Sequence, residues 1–301
     1  MAEIRVQEYS DKVAWRDFFD LCKPRVVAVM LLTAVVGMFL ATSALPSWQV
    51  LICGTLGIGL AAASAAAVNH VMDRKIDAQM CRTHRRPLPQ GKLTPLQALL
   101  FAAVIGVAGI SILVWFVNPL TAWLTLYALM GYAIVYTVYL KRATPQNIVI
   151  GGIAGAAPPL LGWVAVTGSV EPNSLLLVLI IFAWTPPHFW SLCIHKKDEY
   201  ARAGVPMLPV THGETYTRLQ ILLYTVLMII TTLFPYMTGM SGLIYLGGVT
   251  LLNLRFLQWA LRVYRSEGGE APLAMFWFSI KYIMWLFALL LVDHYSMLFG
   301  K

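Results

Sequence analysis

Apolar residues fill this chain in long blocks separated by short polar stretches. Each block is about 20 residues long, the length of helix that crosses a bilayer. Turn-forming residues such as Pro46, Pro95 and Pro145 stand between the blocks. The pattern predicts an all-α polytopic membrane helix bundle with nine spans, at residues 26–44, 49–72, 95–116, 119–140, 146–167, 173–194, 217–238, 242–263 and 275–297.

The first 25 residues have a different, mixed character. Trp15, Phe18 and Phe19 alternate with charged side chains, which predicts an interfacial helix that lies on the membrane and ends before Pro24. No short apolar core of a signal peptide is present in this stretch of sequence. We therefore expect an interfacial, cytoplasmic segment at 1–25, followed by a single transmembrane domain at 26–301.

Composition and charge support a membrane protein and argue against a nucleic-acid-binding one. The chain is 59% hydrophobic with 12% charged residues, about half the charged fraction of a typical soluble domain. Its net charge is +8, but 19 of its 22 Lys and Arg residues lie in the N-terminal segment and at the loops after spans 2, 4, 6 and 8. By the positive-inside rule, the N-terminus is cytoplasmic and the C-terminus external. Four cysteines without CxxC spacing predict packed or free thiols.

A cluster of oxygen-bearing side chains closes span 2. Asn69, Asp73 and Asp77 are spaced i, i+4, i+8, so they share one face of a helix. Carboxylates at the end of a membrane helix are costly without a cation or other partner. Carboxylate oxygens suit Mg²⁺, and the spacing favours a Mg²⁺ site for a phosphate-bearing substrate at the membrane surface.

A basic run that follows this cluster can bind the remaining phosphate oxygens. Arg82, Arg85 and Arg86 offer guanidinium groups, which bind phosphate in bidentate fashion. The alternative interpretation is that the acids pair with Arg74, Lys75 and the later arginines at an interface, without any ligand.

A second polar cluster follows span 6. It consists of five consecutive residues, His195, Lys196, Lys197, Asp198 and Glu199. The carboxylates of the last two could hold a second Mg²⁺. The two loops also resemble each other, since each places a proline 11 or 12 residues after an aspartate. This similarity is compatible with chance and also with two halves facing one cavity.

Span 6 contains two adjacent prolines. Pro186 and Pro187 donate no backbone hydrogen bonds, so we expect them to break or kink the helix next to a cavity. His188 follows them, either as a ligand or as a hydrogen-bonded interface residue. At the end of span 4, Lys141 and Arg142 are explained equally by phosphate binding and by membrane topology.

These motifs together resemble the UbiA-type intramembrane prenyltransferases, and in particular the branch that farnesylates haem, the haem O synthases. The resemblance covers about residues 20–215, and the last three spans are generic. The motifs that carry it are Asn69-xxx-Asp73-xxx-Asp77, Lys23-Pro24-Arg25, Lys141-Arg142-xx-Pro145-Gln146-Asn147-Ile148, Trp184-Thr185-Pro186-Pro187-His188-Phe189-Trp190 and Asp198-Glu199-Tyr200-xxxx-Val205-Pro206-Met207-Leu208-Pro209.

The resemblance implies a helix bundle around a central cavity in the bacterial plasma membrane. It implies that Mg²⁺ and farnesyl diphosphate are held by Asn69 and the carboxylates of Asp73, Asp77, Asp198 and Glu199, although the family usually has two spaced aspartates in the second loop. The basic residues of the site stabilise the leaving diphosphate. They are Arg82, Arg85, Arg86, Lys141, Arg142, Lys196 and Lys197.

The implied acceptor is haem B, whose vinyl group attacks the allylic cation before water completes haem O. His188 is the expected haem contact, through the iron or through a propionate, and His195 is assigned to the same binding region. Haem A synthase or an oxidase assembly factor is an implied partner. Three alternatives remain: a prenyltransferase with an aromatic acceptor, a secondary transporter and a purely structural subunit.

Overall fold

The computed structural model of the chain describes residues 14–81, 83–266 and 269–299. Helices are the only regular elements within these ranges. They are α1 Trp15–Leu21, α2 Pro24–Leu40, α3 Trp48–Asp77, α4 Pro95–Phe116, α5 Pro119–Met130, a π-helix at Gly131–Leu140, α6 Lys141–Ala143, α7 Asn147–Ala156, α8 Pro158–Thr167, α9 Pro172–His195, α10 Lys197–Arg202, α11 Leu208–Thr211, α12 Gly213–Met237, α13 Leu243–Arg265 and α14 Ala271–Phe299.

Each of the nine predicted spans corresponds to a helix or to two consecutive helices, but not all are equally apolar. Seven helices among the described residues are long and apolar enough to cross a membrane, and the bent pair α1–α2 makes an eighth if it is counted as one span. Helix α13 is long enough, but Asn253, Arg255 and Gln258 lower its mean hydropathy. The all-helical membrane bundle is confirmed, and the count of nine is approximate.

Several helices begin with a proline in the first turn or with a side chain that caps the N-terminus. Proline occupies the first turn of several helices, where its missing N–H costs nothing. The side chains of Ser47, Thr94 and Asn118 accept hydrogen bonds from the backbone N–H groups of the first turns of α3, α4 and α5. As predicted, α1 ends before Pro24.

Of the two outcomes expected at the proline pair, a break or a kink, the break does not occur in span 6. Helix α9 continues through Pro186 and Pro187 to His195. The two prolines leave only two carbonyl groups without their usual helical partner, and both prolines are buried among neighbouring helices. Such packing sustains proline inside membrane helices.

Small residues let several helices approach closely. A Cβ added at Gly162 in α8 would overlap the backbone oxygen of Ala34 in α2, and one at Gly57 would press against Leu113 and α4. The closely packed pair α3–α4 includes the alanine-rich half of α3 that ends at the polar cluster. The four cysteines all lie in described ranges, and no disulfide joins them.

Candidate active site

The polar cluster at the end of α3 is buried. Asn69, Asp73 and Asp77 are each 4% exposed or less. The Asn69 amide donates a hydrogen bond to Asp73 Oδ2 at 2.8 Å, as the shared helical face requires. Two carboxylates and an amide are therefore held away from bulk water, where each needs compensating partners.

The partners are cations from three other parts of the chain. Lys141 Nζ lies 2.6 Å from Asp73 Oδ2, and Arg86 Nη1 lies 2.7 Å from Asp77 Oδ2. Lys23 Nζ donates to Asn69 Oδ1. The ion pairs agree in part with the interpretation that the acids pair with bases, but Arg74 and Lys75 are exposed and the pairing bases come from farther away.

The π-helix at Gly131–Leu140 positions two residues that contact the cluster, Thr137 within it and Lys141 directly after it. Thr137 is fully buried, accepts a hydrogen bond from Asn69 Nδ2 at 3.2 Å and donates its own to the backbone oxygen of Tyr132. Lys141 follows directly after this helix. The wider i→i+5 turn is rare and frequent at functional sites, and here it turns Thr137 and Lys141 towards Asn69 and Asp73.

Lys23 is a site residue that the sequence places in a family motif, Lys23-Pro24-Arg25, without indicating its role. Its backbone is left-handed, with φ 48°, an uncommon conformation for a residue with a side chain. The conformation sets the bend between α1 and α2 and directs the ammonium to Asn69. Strain of this kind persists where the surroundings impose it, often at functional sites.

The second loop contributes one buried carboxylate. Glu199 is 9% exposed, and its Oε1 accepts a hydrogen bond from Lys196 at 2.8 Å. This hydrogen bond lowers the pKa of Glu199 below its usual value, with help from the positive charges of Lys196 and Arg202 and from the Cys81 N–H. Cys81, in the loop after α3, thus lies close enough to act on this carboxylate in the loop after α9.

The other predicted residues of the second loop lie at its surface. Asp198 and His195 are exposed. Lys197 pairs with Glu214 at 3.3 Å rather than with a residue of the α3 cluster. The structure therefore selects Glu199 over Asp198 as the inward-facing carboxylate.

The remaining basic residues have varied positions. Arg142 donates to the backbone oxygen of Met72 at 3.0 Å, which ties the end of span 4 to α3. Arg85 is exposed, and Arg82 lies outside the described residues. Arg86 is thus the described arginine of the run that reaches the carboxylates.

Divalent metal ligands are available in this arrangement. In the described ranges, no three His, Cys, Asp or Glu side chains already form a metal-binding group. Two carboxylate oxygens, Asp73 Oδ1 and Glu199 Oε2, are nonetheless buried without a hydrogen-bond partner. Each of these oxygens is free to bind a hard cation, which takes few protein ligands and completes its shell with other oxygens.

His70 is a further residue that sequence reasoning left without a role. It is 2% exposed, and among the described residues neither ring nitrogen has a hydrogen-bond partner. Its position seven residues before Asp77 places it on the same face of α3. That spacing was the signal that could have identified it.

His188 occupies a separate, aromatic environment. Its ring is stacked between Trp184 and Phe276, with centroid distances of 4.2 Å and 4.6 Å. Its Nδ1 lies 2.6 Å from the hydroxyl of Ser279 on α14. No charged side chain is among these contacts, so the site differs in kind from the charged cluster.

Comparison with known proteins identifies the family of the chain. The model of the UbiA prenyltransferase family matches residues 30–289. A protoheme IX farnesyltransferase of Marinobacter nauticus is 61% identical over 287 residues, which cover 95% of both chains. One of Hahella chejuensis is 60% identical over 281 residues, covering 93% of this chain and 94% of the relative.

Solved structures agree on the fold. A digeranylgeranylglyceryl phosphate synthase superposes with a TM-score of 0.78 at 17% identity, covering 93% of this chain and 98% of its own. A UbiA homologue from Archaeoglobus fulgidus, described as bound to GPP and Mg²⁺, superposes with a TM-score of 0.67 at 17% identity, covering 91% and 99%. The bundle, its buried carboxylates and the match over residues 30–289 lead to one conclusion: this chain belongs to the UbiA prenyltransferase family.

Proposed function

We propose that this chain transfers the farnesyl group of farnesyl diphosphate to a vinyl group of haem B, giving haem O. The observation that carries this proposal is the identity of about 60% over nearly the whole chain with proteins named protoheme IX farnesyltransferase. The buried carboxylates and cations described above are the groups that a diphosphate leaving group needs.

Farnesyl diphosphate, the prenyl donor, is proposed to bind at the α3 cluster and the loop after α9. Asp73, Asp77, Glu199 and Asn69 are the candidate ligands of Mg²⁺, with Asp198 as an outer, exposed carboxylate. Mg²⁺, when bound, neutralises the charge that develops on the departing diphosphate. Lys23, Arg86 and Lys141 add fixed positive charge around it. The other cations that the sequence predicts for this role are Arg82, Arg85, Arg142, Lys196 and Lys197.

The proposed bond changes balance without any oxidant. The C–O bond between farnesyl C1 and the diphosphate breaks, and its electron pair leaves with the diphosphate. The π electrons of a haem vinyl group form the new C–C bond to C1. Water adds to the resulting cation next to the porphyrin and loses a proton, so that a hydroxyethylfarnesyl side chain results. Apolar packing keeps bulk water away from the allylic cation until then.

The acceptor end is assigned to the aromatic site around His188. This residue is held among rings that suit a flat apolar macrocycle, and its imidazole offers a polar contact. His195 is the last residue of α9, directly after buried Ile194, and it is exposed, so it is the more peripheral of the two predicted histidines.

The decisive experiment is incubation of membranes containing the protein with haem B, farnesyl diphosphate and Mg²⁺. A product with the mass of haem O that requires all three supports the proposal. Product formation only with geranylgeranyl diphosphate corrects the donor, and prenylation of 4-hydroxybenzoate instead of haem overturns the acceptor. Asp73→Asn is expected to abolish transfer while the protein still inserts and folds.

The proposed location is the bacterial plasma membrane, with the charged loops and N-terminus cytoplasmic and the C-terminus external. A C-terminal reporter that is active only outside the cytoplasm tests this orientation, and activity of a cytoplasm-specific reporter overturns it. Haem A synthase or an oxidase assembly factor remains the proposed recipient of haem O, to be tested by co-purification from membranes.

A further inference from the structure

We propose that Ser279 is a positioning residue that holds His188 with its proton on Nδ1, so that Nε2 presents a lone pair to the iron of the haem substrate. The inference rests on the proposed function and decides between two haem contacts that the sequence leaves open. An iron ligand needs a lone pair at Nε2, whereas a propionate needs an N–H donor there.

The tautomer follows from the hydrogen bonds of Ser279. Its hydroxyl lies 2.7 Å from the backbone oxygen of Phe276 and 2.6 Å from His188 Nδ1. A carbonyl oxygen can only accept, so the single hydroxyl proton of Ser279 is used in that bond. The hydroxyl oxygen must then accept from His188, which places the imidazole proton on Nδ1.

The opposite tautomer leaves a proton without a partner. If Ser279 donated to Nδ1, the proton of His188 would lie on Nε2, for which no acceptor exists among the described residues. That tautomer also takes the Ser279 proton away from the Phe276 carbonyl, so it forms one hydrogen bond within the protein where the first arrangement forms two. The chain from Nδ1–H to the Ser279 hydroxyl to the Phe276 carbonyl uses every proton, and its bonds reinforce one another.

Nε2 itself is reachable. His188 is 7% exposed, and its Nε2 is absent from the buried polar atoms without partners in the described ranges, so the atom retains accessible surface. The ring cannot turn away, since Trp184 and Phe276 sandwich it with interplanar angles of 17° and 23°. Trp184 also donates from Nε1 to the backbone oxygen of Ser279 at 3.0 Å, which fixes the two helices at this point.

This arrangement is the one that proteins use to prepare a histidine for metal binding. The far nitrogen donates to an oxygen, which fixes the tautomer and the ring orientation and raises the basicity of the ligating nitrogen. Removal of such an outer partner typically lowers metal affinity 10- to 100-fold. We expect Ser279→Ala to weaken haem B binding by about 10-fold, at the low end because serine is a neutral partner.

The test compares three porphyrins binding to the purified full-length protein without a prenyl donor. They are haem B, metal-free protoporphyrin IX and the dimethyl ester of haem B. His188→Ala and Ser279→Ala should weaken binding of haem B and its ester, leave protoporphyrin IX unaffected and change the absorption spectrum of bound haem. Equal weakening with protoporphyrin IX overturns iron ligation, and an effect that disappears with the ester assigns His188 to a propionate and also overturns it.

Two controls keep the result interpretable. Ser191→Ala removes a fully buried hydroxyl of α9 that bonds to the Pro187 oxygen, so it should leave all three affinities unchanged. In His188→Gly, added imidazole can occupy the place of the missing ring and ligate the haem iron directly. Imidazole should therefore restore the absorption spectrum of bound haem in this variant. If haem O still forms while neither His188→Ala nor Ser279→Ala alters haem binding or the absorption spectrum, the inference fails and the proposed function stands. If haem ligation is seen but no haem O forms, the proposed function fails instead.

Discussion

The ion pair between Lys141 and Asp73 gives the sharpest test of how the charged site is balanced. The two side chains are 2.6 Å apart, with 14% of Lys141 and 3% of Asp73 exposed. At that separation two unit charges attract by about 6 kcal/mol with an effective dielectric constant of about 20. Desolvation opposes this attraction, so the informative quantity is the cost of removing one partner.

Because Asp73 is more deeply buried than Lys141, removing the lysine should cost more stability than neutralising the aspartate. Lys141→Met leaves the Asp73 carboxylate unpaired and unable to reach water, with a usual cost of about 3–5 kcal/mol. Asp73→Asn leaves an ammonium that can turn towards the surface, and we expect a loss of about 1 kcal/mol.

The assay is the apparent free energy of unfolding in detergent micelles titrated with SDS, without Mg²⁺ or prenyl diphosphate. Lys141→Met should lose about 3–5 kcal/mol, and the double variant with Asp73→Asn should lose about as little as Asp73→Asn alone.

A matched control uses the more exposed pair at Lys196 and Glu199. These side chains are 28% and 11% exposed at 2.8 Å, so Lys196→Met should cost less than about 1 kcal/mol. Equal losses for Lys141→Met and Lys196→Met, or additive losses in the Lys141–Asp73 cycle, would refute the argument that burial controls the cost.

Three further outcomes are expected. Gly162→Ala should lower the thermal stability of the detergent-solubilised protein because its Cβ overlaps the α2 backbone, whereas Gly155→Ala, with no atom within 4 Å of the new Cβ, should leave it unchanged or slightly higher. Arg86→Met should raise the KM for farnesyl diphosphate about 10-fold or more, and Arg85→Met, which alters an exposed side chain, should have a smaller effect in the same steady-state assay. Chelation of divalent cations with EDTA should abolish haem O formation, and added Mg²⁺ should restore it.

The sequence predicts what a single helix determines. Hydrophobic blocks located the spans, and the i, i+4, i+8 spacing placed Asn69, Asp73 and Asp77 on one face, because both follow from the geometry of one helix. The same rule would have added His70, which lies in line with Asp77.

Contacts between distant parts of the chain could not be predicted in this way. Thr137 and Lys141 each lie 68 residues from their partners, and Ser279 lies 91 residues from His188. Their placement depends on which helices pack together, and for Thr137 also on a π-helix that the apolar pattern of 119–140 does not distinguish from an α-helix. The continuity of α9 has a related reason, since packing around the buried Pro186 and Pro187 sustains the helix where local preference favours a break.

The charged cluster and the aromatic site should respond separately to mutation. The first is held by ion pairs at the end of α3, and the second by stacking and hydrogen bonds between α9 and α14. Within the described part of the chain, Lys141 and Ser279 share no hydrogen-bond or ion-pair partner. Sites without shared partners give additive effects. Lys141→Met should therefore raise the KM for farnesyl diphosphate without changing haem B affinity, Ser279→Ala should do the reverse, and the double variant should show both effects at full size. A combined effect that departs from the product of the single effects by more than about twofold would mean that the two sites share a wall, because coupling energies of about 0.5 kcal/mol or more mark residues in one network.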